Sequence, residues 1–541
     1  MLRITELRLP LGHPADALSV AILALLRIDE SELLSVRIAR RANDARKKSA
    51  IVMVYSVDVA LADEEAVLDR ARGDPRVRRP PDTGYRPLVD QRSGSLRPVV
   101  IGTGPCGLFS ALLLAQMGLR PIVLERGKVV RERTQDTWAL WRHRKLNPES
   151  NVQFGEGGAG TFSDGKLWSQ IKDPRHLGRK VLTELVAAGA PAEILVEAHP
   201  HVGTFRLVTV VENLRRTIES LGGEYRFGQR VDDFDIAIDA SGGRRVQGLH
   251  LADGGYLEAD RVVLAIGHSA RDTFEALHLR GVQMEAKPFS IGVRIEHPQS
   301  WIDRARYGSS AGHADLGAAA YTLSHHCRND RTVYSFCMCP GGTVVAAASE
   351  PGRLVVNGMS QYSRNERNAN SGLVVGIDPA RDYPGHPLAG VAFQRKWEAR
   401  AFEVGGGQYE APAQTVKDFL AGRASTELGG VLPSYKPGVQ PTDLAGCLPD
   451  FVVESIREAL PVFGRQIRDY DHPEVVMTGI EARTSSPVRI GRAADCQSLN
   501  TAGLYPAGEG AGYAGGIMSA AIDGIRVAEA VALGLQRSSV T

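Results

Sequence analysis

The chain has 541 residues, of which 43% are hydrophobic and 23% are charged, the balance of an ordinary globular protein. This composition excludes wholesale disorder, a collagen-like repeat and a disulfide-stapled miniature. The formal net charge of +2 creates no global field that would recruit nucleic acid. Six cysteines in a chain of this length suit a reducing compartment rather than a disulfide framework.

The N-terminus shows neither a signal peptide nor a membrane span. It lacks the basic start, the apolar run and the small-residue cleavage site of a secretory signal. The apolar stretch 17–28 is flanked by Asp16 and Asp29 and is shorter than the roughly 20 residues that cross a bilayer. The sequence therefore predicts a cytoplasmic protein without a membrane partner.

Residues 1–88 are predicted to form a small α/β unit with a ferredoxin-like fold. Apolar alternation predicts strands, and apolar residues at helical spacing predict helices. Strands are expected at 2–9, 33–40 and 50–59, and helices at 14–27 and 63–71. This order is that of a split βαβ arrangement in which the last strand is not evident. The polar stretch 78–94 is expected to be the linker that leaves this unit.

Basic residues cluster between the second and third predicted strands, at Arg40, Arg41, Arg46, Lys47 and Lys48. Such a run is typical of a solvated hairpin tip, and docking of RNA is the alternative. Because no aromatic pair lies on adjacent strands to stack bases, nucleic acid is not expected as a partner.

A dinucleotide-binding fingerprint follows the linker. A hydrophobic strand over 98–102 ends in a glycine loop, and a helix over 108–117 and a second strand over 121–124 come next. Gly102 permits the sharp turn, and Gly104 lets the backbone approach a pyrophosphate. Gly107 allows the helix to pack tightly on the strand, and the helix N-terminus offers free amides to the phosphates.

The acidic residue of the fingerprint is Glu125, 18 positions beyond Gly107, where a carboxylate can accept hydrogen bonds from ribose hydroxyls. Pro105, Cys106 and Arg126 are further candidate cofactor contacts in this segment. Cys106 is interpreted as a small filler of the loop rather than as a nucleophile.

The C-terminal segment carries a second glycine-rich element. A strand that ends at Gly508 and Glu509 places a carboxylate where it could bind a polyol chain. Gly515, Gly516 and Ile517 begin a helix whose amides would face a phosphate or the electron-rich edge of a ring. NAD would have no use for such a distant site, whereas the ribityl chain and ring of FAD would. The pattern therefore favours FAD.

Two further loops support this choice of cofactor. A buried strand over 260–267 ends at Gly267, and the loop 155–165 contains Gly160 and Thr161. Amides in such loops could reach the pyrophosphate or the flavin ring. The sequence has no second complete fingerprint for a separate NAD(P)H domain, so NAD(P)H, if used, is expected to visit the flavin transiently.

Several long segments carry a family resemblance. They are AIGHSARDT at 265–273, FSIGVRIEHPQ at 289–299, FCMCPGG at 336–342, NGMS at 357–360 and NANS at 368–371. Together with the glycine motifs, they make the sequence resemble the uncharacterised FAD-dependent dehydrogenase family, within the two-dinucleotide-binding-fold flavoproteins. The resemblance covers essentially the whole chain and implies a bound FAD, but it does not identify the substrate.

The predicted fold is α/β, with an FAD-binding Rossmann-like domain of the glutathione-reductase type and an inserted substrate domain. The ferredoxin-like unit is expected at 1–88, the first part of the FAD-binding domain at 89–275, the substrate or cap domain at 276–480 and the C-terminal part of the FAD-binding domain at 481–541.

The catalytic residues are unknown from the sequence, and Cys337 and Cys339 are weak candidates. A strand over 332–339 would put both on one face, either as a redox pair near the flavin or as two small core residues. His325, His326 and Cys327 are close in sequence, but no second ligand pair has zinc spacing, so no metal is expected.

These features predict an FAD-dependent oxidoreductase that transfers hydride through a non-covalently bound flavin, with an unknown small-molecule substrate. Two alternatives stay open. One is a flavoprotein that acts on or binds RNA through its basic N-terminal unit, and the other is a partner-binding protein with structural FAD. The sequence does not indicate the oligomeric state.

Overall fold

The computed structural model describes residues 1–88 and 96–538. Part of the predicted linker and the predicted boundary at 88/89 fall on residues 89–95, outside the described residues. The fold is mixed α/β, as predicted, and contains both parallel and antiparallel sheets. No helix within residues 1–88 and 96–538 combines the length and the apolar character needed to cross a membrane.

The N-terminal unit is a four-stranded antiparallel sheet in the order β2-β3-β1-β4, with two helices. Its elements are β1 (Leu2–Pro10), α1 (Ala17–Leu26), β2 (Leu33–Asp44), β3 (Val52–Leu61), α2 (Glu64–Arg70) and β4 (Val77–Arg78). The short strand β4 is the last strand that the sequence did not reveal. The ferredoxin-like assignment of the unit stays a prediction.

The sequence predicted that the basic run of this unit is a hairpin tip. In the structure, the first part of the run belongs to strand β2 instead. Strand β2 continues to Asp44, because Arg41 to Asp44 pair with Tyr55 to Val52 in register. The Arg41 guanidinium is also anchored, through its Nε, 2.9 Å from Glu197 in the body of the protein. Only residues 45–51 form the connection between β2 and β3.

The dinucleotide-binding part is built on a five-stranded parallel sheet in the order β22-β11-β5-β6-β7. Its segments are β5 (Val99–Ile101), α3 (Pro105–Gln116), β6 (Ile122–Glu125), α4 (Val130–His143), α5 (Leu177–Ala187), α6 (Thr204–Ser220), β7 (Glu224–Phe227), β8 (Val231–Ile238), β9 (Arg244–Leu251), β10 (Tyr256–Glu258), β11 (Val262–Leu264), α7 (Arg271–Leu279), β22 (Leu504–Pro506) and α13 (Ile517–Ser538).

Helices α3 and α13 pack together on this sheet through a continuous apolar core. Strands β5, β6, β11 and β22 are three or four residues long and buried along their whole length, as expected for a parallel sheet covered on both faces. The last strand and helix come from the C-terminal segment, so this part of the protein is discontinuous in sequence.

The segment between them forms a large, mostly antiparallel sheet in the order β14-β15-β17-β13-β20-β18-β19, in which β16 pairs with β15 and the pair β18–β19 is parallel. In the same segment, β12 pairs with β21 in a separate two-stranded sheet. Its elements are β12 (Met284–Ala286), β13 (Phe289–Pro298), α8 (Gln299–Tyr307), β14 (Ser324–His326), β15 (Thr332–Ala346), β16 (Val356–Ser360), β17 (Asn368–Ile377), α9 (Pro379–Asp382), α10 (Ala389–Val404), β18 (Ala411–Thr415), α11 (Val416–Ala421), β19 (Val439–Pro441), α12 (Asp450–Gln466), β20 (Val476–Glu481) and β21 (Val488–Ile490).

Candidate functional site

A cavity of about 660 Å³ lies at the carboxyl ends of the parallel strands. Ile101, Leu124 and Ala265, at or just beyond the ends of β5, β6 and β11, are part of its wall. Ligands of open α/β sheets bind in this place, and the volume lies within the roughly 300–1,000 Å³ of small-molecule sites. The cavity continues to the bulged middle of β15, where Phe336 and Cys337 line it.

Two glycines of the fingerprint are required by the protein itself. Gly102 has a φ of +97°, and a Cβ there would lie 2.4 Å from the carbonyl oxygen of Ala265. A Cβ on Gly107 would lie 1.9 Å from the carbonyl oxygen of Gly102. Both glycines therefore hold helix α3 close against the sheet.

Gly104 differs from its neighbours, because the described protein atoms do not explain the absence of a side chain. A Cβ there would be 3.9 Å from its nearest protein neighbour, Gly158. At Gly515 and Gly516 it would meet no atom of the described residues within 4 Å. All three glycines line the cavity, next to the N-termini of α3 and α13. The space that their missing side chains leave open suits a ligand, and the free helix amides suit an anionic one.

Glu125 is 5% exposed and organises the glycine loop. One carboxylate oxygen accepts hydrogen bonds from the Thr103 amide at 3.1 Å and hydroxyl at 2.5 Å. The other accepts from the amides of Gly127 at 2.9 Å and Gly155 at 3.0 Å. These contacts use the roughly four lone-pair sites of a carboxylate, so a ribose hydroxyl would have to share or replace one of them.

The C-terminal glycine loop is held by a buried ion pair. Asp523 lies 2.6 Å from Arg492 and accepts a hydrogen bond from the Gly508 amide at 2.8 Å. His268 Nδ1 is 3.3 Å from the Glu509 carboxylate, and both residues line the cavity. The buried Nε2 of His268 has no hydrogen-bond partner within the described part of the chain. A buried polar atom of this kind at a cavity wall suits a hydrogen bond to a ligand.

Most of the predicted cofactor residues line this cavity: Gly102, Gly104, Pro105, Cys106, Glu125, Arg126, Gly160, Gly267, Glu509, Gly515, Gly516 and Ile517. Gly107 and Gly508 lie directly behind the wall. A Cβ on Gly107 would clash with the Gly102 carbonyl oxygen, and a Cβ on Gly508 would clash with the Cys106 side chain. Thr161 is also buried behind the wall, at 1% exposure.

Sequence reasoning missed other wall residues, namely Gln153, Lys166, Arg230, Asn357, Glu481 and Arg483. Lys166 directly follows the loop 155–165 that the sequence analysis singled out, and this adjacency was a usable signal. Asn357 begins the segment NGMS at 357–360, one of those that carry the family resemblance, and this was a second usable signal. The other residues belong to no motif and are brought to the cavity only by the fold.

Cys337 lines the cavity, while Cys339 is fully buried. Strand β15 shifts its register against β17 on both sides of Cys339, and Cys337 has a φ of +44°. The buried Arg294 guanidinium donates a hydrogen bond to the Cys337 carbonyl at 3.0 Å. Arg294 also forms an ion pair with Glu481 at 2.5 Å. The bulged backbone is thus fixed by a buried charge network.

The environment of the Cys337 thiol favours the thiolate. A hydrogen bond with Cys339 and the positive charges of Lys166 and Arg294 outweigh burial and hold the pKa of Cys337 well below its usual range. Burial instead raises the pKa of Cys106, Cys327 and Cys496. A thiolate is the nucleophilic form of cysteine, so Cys337 is the reactive candidate among these residues.

Iodoacetamide is therefore expected to alkylate Cys337 at neutral pH at least about tenfold faster than Cys496. Cys496 is the internal control, because it is partly exposed but has a raised pKa. The rates are measured by mass spectrometry of peptides from a time course on the intact protein. Faster modification of Cys496 would contradict the thiolate assignment.

A buried ion network joins the two parts of the protein beside the cavity. Glu398 of α10 accepts four hydrogen bonds at 2.6–2.9 Å from Arg271 and Arg483. All three side chains are at most 2% exposed. Arg483 also donates to Ser349 at 2.6 Å and lines the cavity. The network fixes α7 and α10 where the cavity wall passes from one part to the other.

His325 and Cys327 have Glu458 as a third neighbour, with potential ligand atoms within 4.8 Å of one another. Glu458 lies far away in sequence, so the sequence did not reveal this group. Its carboxylate accepts from the Arg328 amide at 3.1 Å and guanidinium at 3.2 Å. The ion pair between Glu458 and Arg328 accounts for the position of this carboxylate next to His325 and Cys327.

Residues 288–484 match the family described as FAD-dependent protein, C-terminal domain-like, and residues 1–60 match a domain of unknown function (DUF8436). A protein of Clostridium beijerinckii (strain ATCC 51743 / NCIMB 8052), described as uncharacterized, is 47% identical over 537 residues, which is 98% of each chain.

Solved structures show weaker similarity. Glycine oxidase from Bacillus cereus ATCC 14579 is 11% identical with a TM-score of 0.36, over 81% of this chain and 95% of that chain. L-Proline dehydrogenase from P. horikoshii is 12% identical with a TM-score of 0.34, over 83% of this chain and 95% of that chain. Similarity at this level does not identify an activity. From its high identity over nearly the whole length, the chain belongs to the same family as the Clostridium beijerinckii protein.

Proposed function

We propose that the protein is an FAD-dependent oxidoreductase and that its cavity binds FAD without a covalent bond. The observation that carries this proposal is the convergence of two helix N-termini on open glycine positions in one cavity. The match of residues 288–484 to the C-terminal domain of FAD-dependent proteins supports it. NAD alone would leave the C-terminal glycine loop without a function.

In this proposal the α3 N-terminus at Gly104 takes the pyrophosphate. The adenosine half extends toward Glu125, Arg126 and Arg230, and the flavin ring extends toward the end of the cavity at Cys337. The Gly515–Gly516 segment at the start of α13 offers its amides and its positive dipole to the ring or the phosphates. The orphan Nε2 of His268 offers one further hydrogen bond.

A bound FAD would supply two-electron redox chemistry. The chain supplies binding, orientation and a place for the proton that the substrate loses. We propose the Cys337 thiolate for this last role, because it lines the cavity and its lowered pKa keeps Sγ in the unprotonated form that can take up a proton. Arg294 positions Cys337 through the Cys337 carbonyl.

We propose the nicotinamide as the transient second redox partner: NAD(P)+ would accept the hydride that the substrate loses, and NAD(P)H would donate one in the reverse direction. In anaerobic titrations of the FAD-loaded protein, one of NADPH and NADH is expected to bleach the flavin absorption at least about tenfold faster than it reduces free FAD, because binding orients the reactants. The C337S variant is the control and is expected to keep this rate, since its thiol acts on the substrate.

The role of NAD(P)H and the redox role of the bound FAD can each be contradicted by a separate result. Equal rates for bound and free FAD with both nicotinamides would exclude NAD(P)H as the donor. A bound flavin that dithionite also fails to reduce would make the FAD structural and would contradict an oxidoreductase.

A further inference from the structure

A second and larger cavity, of about 1,380 Å³, lies between the N-terminal unit and the rest of the protein. Arg40 and Tyr55, on strands β2 and β3, form part of one side. His199, Tyr307 and Tyr362 form part of the opposite side. The N-terminal unit thus supplies a wall of this cavity, and its contact between Arg41 and Glu197 helps to hold that wall in place.

The second cavity meets the first one. Lys166, Trp168 and Cys337 line both of them. These shared residues mark the place where the two cavities meet. A molecule in the second cavity would therefore approach the end that we assign to the flavin ring, rather than the adenosine end.

The wall of the second cavity has an excess of positive charge. Its cationic side chains are Arg8, Arg40, Arg41, Arg46, Lys166, Arg306 and Arg364, and its carboxylates are Glu6, Asp44, Glu193, Glu197 and Asp315. Seven cationic side chains and five carboxylates give this wall a formal charge of +2 when its histidines are neutral.

The pairing of these charges leaves three cations without a carboxylate. Arg8 and Arg46 pair with Asp44, Arg41 with Glu197, and Arg364 with Asp164 of the first cavity. Arg40 and Arg306 form no ion pair with any described residue, and the Lys166 ammonium donates to the Met338 carbonyl. Glu193 and Asp315 of the same wall pair with no described lysine or arginine, so three unpaired cations face two unpaired carboxylates. The remaining positive charge of the wall favours an anionic ligand.

We propose that the second cavity is the substrate chamber and that it takes a small molecule carrying an oxyanion, either a carboxylate or a phosphate. Arg40 and Arg306 attract the oxyanion, and the oxidisable part reaches the flavin end past Lys166 and Cys337. This inference rests on the proposed function and extends it to the class of substrate. It also gives the N-terminal unit a role, as one wall of the chamber.

The test uses charged electron acceptors as probes. The FAD-loaded protein is reduced with dithionite and mixed in a stopped-flow instrument with ferricyanide or, separately, with hexaammineruthenium(III). Two ferricyanide ions take the two electrons of one reduced flavin and become two ferrocyanide ions, and the flavin protons pass to water. The R40Q/R306Q variant is expected to react with ferricyanide roughly tenfold more slowly at low ionic strength, and no more slowly with the ruthenium cation.

The matched control is K417Q/R465Q, which removes the same charge from side chains outside both cavities. It is expected to stay within twofold of the unchanged protein. Succinate and glycerol phosphate are added as competitors, with succinamide and glycerol as neutral controls. If succinate slows the ferricyanide reaction saturably, the oxyanion is a carboxylate. If glycerol phosphate does so, the oxyanion is a phosphate.

A flavin content of zero before mixing would overturn the proposed function itself. With flavin bound, equal ferricyanide rates in R40Q/R306Q and in the control would overturn the chamber alone. The chamber would also be overturned if neither succinate nor glycerol phosphate slowed the ferricyanide reaction. Binding of structured RNA that is lost in R40Q/R306Q would overturn it as well.

Discussion

The G104D variant is expected to lose FAD binding by at least about a hundredfold while keeping its fold. Gly104 is the N-cap of α3 with extended backbone, φ −66° and ψ 178°, and aspartate is a favoured N-cap residue. A Cβ there would lie 3.9 Å from its nearest described neighbour, Gly158. It would instead occupy the proposed pyrophosphate position and place a negative charge beside the phosphates, where each 1.4 kcal/mol of repulsion costs tenfold in affinity.

The measurement is an FAD titration of apoprotein, with circular dichroism and the thermal midpoint as checks of the fold. G104N is the matched control, because asparagine has the same size and also caps helices but carries no charge. It is expected to bind FAD more tightly than G104D and less tightly than the unchanged protein. Undiminished FAD binding by G104D would place the pyrophosphate elsewhere.

The E398Q variant is expected to be less stable by about 3–5 kcal/mol, because breaking a buried ion pair leaves an uncompensated charge. Here two buried guanidiniums, those of Arg271 and Arg483, would share a neutral amide. In a unit of 150–250 residues this loss lowers the thermal midpoint by roughly 6–20 °C. The measurement is the thermal unfolding of both proteins without added flavin.

E403Q is the matched control on the same helix. Glu403 pairs with Arg400, and both side chains are more than half exposed, so its loss is expected to cost less than about 1 kcal/mol. Equal midpoints for E398Q and E403Q would show that the network does not hold the two parts together.

The same network predicts a pH dependence. Burial alone would raise the pKa of Glu398, but Arg271 and Arg483 hold it below its usual range. A depressed pKa adds stability that is complete above the ordinary carboxyl pKa of about 4.3 and is lost as the pH falls toward the folded value. The difference between the unchanged protein and E398Q is therefore expected to shrink in acid.

The dinucleotide fingerprint was predictable because its requirements are local. The sharp turn at Gly102 and the close packing at Gly107 depend on backbone geometry that a short segment determines. The loop around Gly508 was predictable for the same reason. The sequence could not show that Glu125 would already accept four hydrogen bonds, two from Thr103 and one each from the amides of Gly127 and Gly155, because Gly155 reaches it from a distant segment.

The far end of the cavity depends on long-range packing. Alternation predicted that Cys337 and Cys339 share a face of β15, but it could not predict the shifts of register that leave Cys337 at the cavity wall and Cys339 buried. Arg294 comes from β13 and Glu481 from β20, so only the sheet order brings their ion pair beneath Cys337. The second cavity requires a contact between separate units and leaves no trace in any single motif.

The proposed function requires that this chain bind FAD in the cavity between α3 and α13. The most direct measurement is the absorption spectrum of the purified protein after incubation with FAD and gel filtration, followed by denaturation and chromatographic identification of the released flavin. We predict a retained flavin band and one released FAD per chain. A protein that emerges without flavin after this reconstitution would contradict the claim.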